Sequence, residues 1–130
     1  MNYLIDTDQV IEHLKGKRAI VEQINRYAPD GLAISLITYG EIYEGILFGR
    51  NPKQHSQGFV NFLKIPVRIL LPNQVIMRRF AQLRGQLRQT GQIIGDFDIL
   101  IAATALHYDL TLMTHNRKHF SRIPMLKLFE

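Results

Sequence analysis

Four carboxylates lie at the points where apolar segments of this sequence meet the start of a helical pattern. They are Asp6, Glu41, Asp96 and Asp98. Carboxylates that converge repel one another and stay ionised together only if a cation neutralises them. A ligand set made only of oxygen selects Mg²⁺, for which Mn²⁺ can substitute, over zinc or copper. A metal held in this way activates water and stabilises charge on a phosphodiester. The residue types therefore indicate a metal-dependent phosphodiesterase.

Helix capping is the alternative explanation for three of these acids. Thr38-x-x-Glu41 matches a capping box, in which the two side chains bond to the free backbone N–H groups of a helix start. Asp96 and Asp98 could likewise cap the helix that follows them. The sequence alone leaves both explanations open.

The elements that must position these acids alternate between strands and helices. Apolar runs predict strands at 3–5, 31–35, 67–71 and 110–114, with a short edge strand within 125–129. Helical spacing of apolar residues predicts helices that begin near residues 7, 18, 36, 57, 74 and 96. This order is typical of an α/β protein with a mainly parallel sheet of four to five strands.

Two of the candidate site residues come just after predicted strands, whereas the remaining acids lie near the starts of predicted helices. Asp6 comes after the first strand and Asn116 comes after the fourth. Ligands bind beyond the carboxyl ends of the strands in such folds, so we expect Asp6 and Asn116 at that edge. Glu41 and the Asp96/Asp98 pair are expected to converge on it. The helix from residue 96 is apolar almost all round, which predicts that it is buried.

Length and composition exclude several classes of protein. The chain has 130 residues, 46% of them hydrophobic, which fits one domain with its own core. It has no cysteine, so disulfides and thiolate metal sites are excluded. No apolar run approaches the ~20 residues that span a bilayer, and the first residues do not resemble a signal peptide. We expect a cytoplasmic protein without a membrane partner.

The basic residues are unevenly distributed. The formal net charge is +5, and no Asp or Glu occurs between Lys53 and Gly95. That block contains seven cations, which are Lys53, Lys64, Arg68, Arg78, Arg79, Arg84 and Arg88. Clustered acids beside a separate basic surface suit a nucleic acid backbone held near a metal. An ordinary solvated helix face is the alternative.

The histidines do not form a zinc pattern. His115 and His119 are four residues apart, but their segment contains no third ligand. We expect them to face solvent or a phosphate group.

Four motifs in this order resemble the PIN-domain ribonucleases, specifically the VapC-type toxins of toxin–antitoxin pairs. They are Leu4-Ile5-Asp6-Thr7, Ile34-Ser35-x-x-Thr38-x-x-Glu41, Ile94-Gly95-x-x-Asp98-x-Leu-Ile-Ala-Ala-x-Ala105 and Leu112-Met113-Thr114-x-Asn116-x-x-x-Phe120. The resemblance covers nearly the whole chain and implies a single PIN domain over residues 1–130, with a three-layer α/β/α sandwich.

The resemblance also implies a function. Relatives of this kind are Mg²⁺-dependent endoribonucleases that cut structured RNA, such as transfer or ribosomal RNA, and so inhibit translation. A cognate antitoxin neutralises them, and they are commonly homodimers within toxin–antitoxin hetero-oligomers.

Site residues carry over by position. Asp6, Glu41 and Asp98 match the acidic metal ligands, and Asp96 matches a supporting carboxylate. Asn116 matches the last motif of the catalytic set. The supporting hydroxyls are Thr7, Thr38 and Thr114, and the candidate RNA-binding cations are Arg78, Arg84, Arg88, Arg117 and Lys118.

The last motif departs from the family pattern. Many relatives have an acid at the position of Asn116 or a few residues later, whereas this chain has Asn116 and His119. The site therefore has less negative charge, which weakens the case for a tightly held second metal.

Two other functions are compatible with parts of the sequence. A non-catalytic PIN-like RNA-binding module would also use the basic block. A receiver-like signalling domain has acids at strand ends, but it needs a phospho-accepting Asp after its middle strand. The third strand here ends in Leu71-Pro72, which argues against that class.

Overall fold

A five-stranded sheet, parallel throughout, forms the centre of the fold in a computed structural model that describes residues Met1 to Glu130. Its strands stand in the spatial order β3-β2-β1-β4-β5. Their bounds are β1 Tyr3–Ile5, β2 Leu32–Ser35, β3 Val67–Leu70, β4 Thr111–Met113 and β5 Lys127–Leu128. The predicted mainly parallel sheet is confirmed, and the C-terminal strand lies at an edge.

Seven helices connect these strands. They are α1 Thr7–Leu14, α2 Arg18–Tyr27, α3 Leu36–Leu47, α4 Pro52–Leu63, α5 Gln74–Gln89, α6 Asp96–His107 and α7 Arg117–Phe120, with a 3₁₀ turn at Ala28–Asp30. None of them combines the length and apolar character that crossing a membrane requires.

The helices cover both faces of the sheet, because side chains alternate along each strand. Leu4 packs in one apolar cluster with residues of α5 and α6, whereas its neighbour Ile5 packs in a second cluster with residues of α1 to α4. The predicted three-layer α/β/α sandwich is therefore confirmed. As expected, α6 is buried along most of its length.

The connections that follow β1 and β3 place the next strands on opposite sides of β1, so the carboxyl end of β1 is a topological switch point. β1 pairs with β2 on one side and with β4 on the other. A crevice opens beyond the carboxyl ends of the strands where the order reverses in this way. Asp6 follows β1 directly and therefore lies at that crevice.

Two helices differ from the sequence prediction. α4 begins at Pro52 rather than near Gln57, because Pro52 occupies the first helical position, where a missing N–H costs nothing. α7 was not predicted, since a four-residue helix has too little periodicity to detect.

The capping alternatives for the acids are wrong. Ser35, not Thr38, caps α3, and its Oγ accepts a 3.1 Å hydrogen bond from the backbone N–H of Ile37. Gly95 occupies the N-cap position of α6, which receives no side-chain hydrogen bond. Glu41, Asp96 and Asp98 therefore serve other contacts.

Candidate active site

Asp6 lies at the centre of the candidate site, where β1 ends and α1 begins. It is the N-cap residue of α1, and its Oδ1 accepts a 2.8 Å hydrogen bond from the Thr7 N–H. Its own N–H bonds to the carbonyl oxygen of Met113, at the end of β4. The residue is only 5% exposed. Backbone geometry on two strands thus fixes this carboxylate.

Residues beyond β4 close the site against α1. Thr114 donates from Oγ1 to Oδ2 of Asp6 over 2.7 Å, and the Asn116 N–H donates to Thr114 Oγ1 over 3.0 Å. The His115 N–H donates to Oδ2 of Asp8 over 3.1 Å. The loop after β4 therefore binds two carboxylates of one helix start.

The carboxylates resist joint ionisation. Burial, followed by the charge of Asp8, raises the pKa of Asp6 to about 7, and Asp98 adds to this effect. Burial also raises the pKa of Asp98, to which the charge of Asp8 contributes, while a protonated His119 would oppose the shift. We call Asp6, Asp8 and Asp98 the acid cluster, because the charge of Asp8 contributes to the raised pKa of both Asp6 and Asp98.

Asp98 and His119 face each other from two elements. Asp98 is in the first turn of α6, and His119 is in α7. The imidazole Nδ1 lies 3.9 Å from Oδ2 of Asp98 and 3.0 Å from Nδ2 of Asn116. Asn116, predicted as a site residue, thus reaches the acid cluster through its backbone bond to Thr114 and its amide contact with His119.

Glu41 is joined to the centre through two hydroxyl groups. Thr7 donates from Oγ1 to Oε1 of Glu41 over 2.7 Å, and its oxygen lies 3.0 Å from that of Thr38. Because Thr7 follows Asp6 directly, Glu41 is linked to the central carboxylate through a single residue. The structure therefore brings Thr7, Thr38 and Glu41 together as a group.

Asp96 stands apart from the acid cluster. Its Oδ1 accepts a 2.7 Å hydrogen bond from Nε of Arg84, and its side chain is 56% exposed. It does not contribute to the repulsion that raises the pKa of Asp6 and Asp98. The ion pair with Arg84 instead joins α5 to the start of α6.

The candidate RNA-binding cations differ in their availability. Arg78, Arg88 and Lys118 are exposed. Arg84 is engaged by Asp96, and Arg117 donates from Nη1 to the carbonyl oxygen of Phe129. Arg117 therefore fastens the C-terminal segment to α7.

Sequence reasoning missed Asp8 and assigned no role in the acid site to His119. Asp8 follows the strand end by three positions, and its contacts come from the loop after β4, more than 100 residues away. The Asp6-Thr7-Asp8 spacing was the available signal. Glu12, one turn after Asp8, forms ion pairs with Lys17 at 2.6 Å and with His115.

The acid cluster fits a divalent cation in charge and ligand type. Oδ1 of Asp8 is buried and has no hydrogen-bond partner. A hard cation would give the unpartnered carboxylate oxygen of Asp8 a ligand bond, and it would offset the burial and the charge repulsion that raise the pKa of Asp6. No three carboxylate or imidazole groups are already close enough to form a metal cluster. Side chains would have to move towards an ion to bind it.

An apolar groove begins beside Glu41. It has a volume of about 680 Å³ and lies between α1, α3 and α4. Its apolar walls come from Ile11, Leu14, Ile42 and Ile46. Beyond α3, Phe48 is 87% exposed. The site is thus continuous with a surface that could receive an apolar segment.

Comparison with known proteins adds similarities in sequence. The model of the PIN domain family matches residues 3–126. The chain is 34% identical over 129 residues to Ribonuclease VapC1 of Haemophilus influenzae strain R2866, and the match covers 98% of this chain and 96% of that protein.

Solved structures show the same architecture over the full length. One is VapBC2 from Rickettsia felis bound to a DNA fragment from their promoter, with a TM-score of 0.93 and 30% identity over 99% of this chain and 98% of that one. Another is VapBC-1 from nontypeable H. influenzae, with a TM-score of 0.86 and 29% identity over 100% and 98% of the two chains.

Proposed function

The chain belongs to the PIN domain family, and from this premise we propose that it is a Mg²⁺-dependent endoribonuclease toxin neutralised by a cognate antitoxin. Its substrate is structured RNA, either transfer or ribosomal, whose cleavage inhibits translation in the cytoplasm. The observation that carries the proposal is the acid cluster: the charges of Asp8 and Asp98 contribute to the raised pKa of Asp6 at the switch point of the sheet, and a buried oxygen of Asp8 lacks a partner. Relatives named as ribonucleases support the reaction class.

The residues divide into ligands and groups that orient them. Asp6, Asp98 and Glu41 would hold the ion, with Asp8 as an additional carboxylate. Thr114 and Thr7 fix the carboxylates of Asp6 and Glu41 by short hydrogen bonds. Thr38 supports Thr7. Asp96, predicted as a ligand, would first have to leave Arg84.

The bound metal, with Mn²⁺ as a substitute for Mg²⁺, supplies an activated water and neutralises charge on the phosphodiester. The chain's own groups position the ion and the substrate. No residue of the chain needs to act as a covalent nucleophile, and the chain has no cysteine. The basic surface of α5, with Arg78 and Arg88 exposed, binds the RNA backbone.

The antitoxin binds in the groove between α1, α3 and α4. A segment with apolar side chains would fill the walls formed by Ile11, Leu14 and Ile46 and would reach Glu41 at the end of the groove. Binding there would cover Glu41, which Thr7 links to Asp6. The similar solved structures are named as VapBC assemblies, which supports a partner of this kind. We also propose that the chain forms a homodimer.

Cleavage of total cellular RNA by purified, antitoxin-free protein tests the proposal. The reaction is run with Mg²⁺, with Mn²⁺ and with EDTA. Discrete RNA fragments that need the metal and disappear with EDTA are expected, and mapping their ends identifies the RNA. If folded protein cleaves no RNA with either metal, the proposal that the chain is an endoribonuclease is refuted.

A non-catalytic PIN-like RNA-binding module is the second candidate. It is favoured by the absence of a ready-made metal cluster and by Asn116 and His119 in the last motif. A binding measurement on the same protein and RNA separates the two candidates, since RNA binding without cleavage would select this function.

A further inference from the structure

We propose that His119 supplies a nitrogen ligand to the metal, so that this centre discriminates in favour of Mn²⁺ over Mg²⁺ more strongly than an all-oxygen centre would. The inference rests on the proposed function, because it concerns the same metal. It assigns His119 a role that the chain's sequence pattern did not predict.

The first support is the position of the imidazole ring. α7 begins directly after Asn116 and places His119 in its third position. Nδ1 then lies 3.9 Å from Oδ2 of Asp98. Both side chains are about one-third exposed, so neither is sealed away from an ion that enters from solvent.

The second support is the distance between the two donor atoms. Ligand atoms at about 2.1 Å from one octahedral ion are about 3.0 Å apart when adjacent and about 4.2 Å apart when opposite. The observed 3.9 Å lies between these limits. One ion can therefore bind Oδ2 of Asp98 and Nδ1 of His119 with small side-chain movements.

The third support is the contact between His119 and Asn116. Nδ2 of Asn116 stands 3.0 Å from Nδ1. In the neutral tautomer that carries its proton on Nε2, Nδ1 has a lone pair and accepts from this amide N–H. That nitrogen and the carboxylate of Asp98 are then two acceptors that face each other. A cation between them would bind both acceptor atoms. It would replace the Asn116 amide as the partner of the lone pair on Nδ1.

The donor chemistry then sets the metal preference. Mg²⁺ prefers oxygen ligands in near-ideal octahedral geometry. First-row transition ions bind sites of mixed nitrogen and oxygen ligands in an order in which Mn²⁺ is the weakest, so a nitrogen ligand favours Mn²⁺ over Mg²⁺ but favours the later ions more. His119 offers a donor atom without the negative charge of a carboxylate. The resulting centre would lose more affinity for Mg²⁺ than for Mn²⁺.

Two measurements on metal-free, full-length protein test this. Calorimetric titration gives the Kd for Mn²⁺ and for Mg²⁺ in wild type, His119→Ala and His119→Glu. Pulsed electron paramagnetic resonance of the Mn²⁺-bound protein reports whether ¹⁴N is bonded to the ion. His115→Ala is the matched control, since His115 contacts Glu12 and precedes the same short helix.

We expect His119→Ala to weaken Mn²⁺ binding about tenfold and Mg²⁺ binding less than about threefold. His119→Glu should strengthen Mg²⁺ binding and reduce the Mn²⁺ preference. The ¹⁴N coupling should be present in wild type and in His115→Ala, and absent in both His119 variants. Circular dichroism checks that every variant is folded.

Three results would overturn the inference. Wild type that binds Mn²⁺ without ¹⁴N coupling shows an all-oxygen centre, and if it also cleaves RNA, only the inference fails. Tighter binding of both metals by His119→Ala shows that His119 is a protonated counter-ion of Asp98. Wild type that binds neither metal removes the metal site of the proposed function together with this inference.

Discussion

Thr114 donates from Oγ1 to Oδ2 of Asp6 over 2.7 Å, although the two residues are 108 positions apart in the chain. The bond is possible because β1 and β4 are neighbouring parallel strands, with Ile5 paired to Met113. A hydrogen bond to a carboxylate favours its charged form. It therefore opposes the burial and the charge repulsion that raise the pKa of Asp6.

Removal of this bond is expected to raise the pKa of Asp6 further. Thr114→Val removes the donor and keeps the shape of the side chain. A hydrogen bond to a charged group is worth about 1.5 to 3 kcal/mol, which corresponds to a shift of about one to two pH units. An NMR titration of the Asp6 side-chain carbon in metal-free protein measures the shift. Thr114→Ser keeps the hydroxyl and is the control; equal pKa values in the Val and Ser variants would show that the hydroxyl has no such effect.

The raised pKa of Asp6 predicts how the stability of metal-free protein depends on pH. A carboxyl group whose pKa is about 7 in the folded chain and ~4 when unfolded binds more protons in the folded state between these values. The free energy of unfolding should therefore fall as the pH rises from about 4 to about 7, by an amount on the order of a few kcal/mol. Above pH 7 this contribution should be constant.

Asp6→Asn should remove most of that dependence. The variant should be more stable than wild type at pH 8, because it no longer buries a charge, and similar in stability at pH 4. Urea denaturation at both pH values measures this. Asp109→Asn is the control, since Asp109 is an exposed partner of Lys127. A variant that is less stable than wild type at pH 8 would contradict the assigned cause of the shift.

The exposed cations of α5 are expected to bind the RNA backbone. Arg78→Glu combined with Arg88→Glu should weaken RNA binding and reduce the slope of log K against log salt by roughly one for each phosphate that the protein no longer neutralises. These two residues are chosen because Arg84 is already paired with Asp96. Binding is measured at several salt concentrations. Arg26→Glu on α2, across the sheet from α5, is the control, and an unchanged slope in the α5 variant would exclude this surface.

A charge in the groove should prevent inhibition by the antitoxin. Ile11 lines the groove and is 39% exposed, so Ile11→Glu can be accommodated in the free chain. The variant should still cleave RNA but resist the antitoxin, because burial of an unpaired carboxylate is costly. Co-purification with the antitoxin and inhibition of cleavage are the measurements. Met125→Glu, at an exposed residue outside the groove and outside α5, is the control, and normal inhibition of Ile11→Glu would place the antitoxin elsewhere.

The fold was largely predictable because the helices and strands carry strong periodic patterns. The apolar run of β1 and the apolar surface of α6 indicate burial on both sides, as a parallel sheet between helix layers requires. Asp6 was predictable in the same way, since it follows a buried strand. The neighbours of β1 were not, because strand order depends on packing between segments far apart in sequence.

That strand order explains the residues that were missed. The contacts of Asp8 come from Thr114 and His115, and the position of His119 depends on the short α7. The pairing of Asp96 with Arg84 also depends on how α5 packs against α6. The sequence does not distinguish the roles of Asp96 and Asp98, which are only two residues apart. Packing does, because it places Asp96 against Arg84 and Asp98 near His119.

The most direct test of the central claim compares RNA cleavage with RNA binding in one variant. Wild type and Asp98→Asn are given the same RNA over a Mg²⁺ titration, with Asp109→Asn as the control for loss of an acid elsewhere. The account predicts that Asp98→Asn cleaves RNA at least about 100-fold more slowly at every Mg²⁺ concentration and binds RNA within about threefold of wild type. Cleavage by Asp98→Asn at the wild-type rate would contradict the account, because the acid cluster would then not hold the metal that cuts RNA.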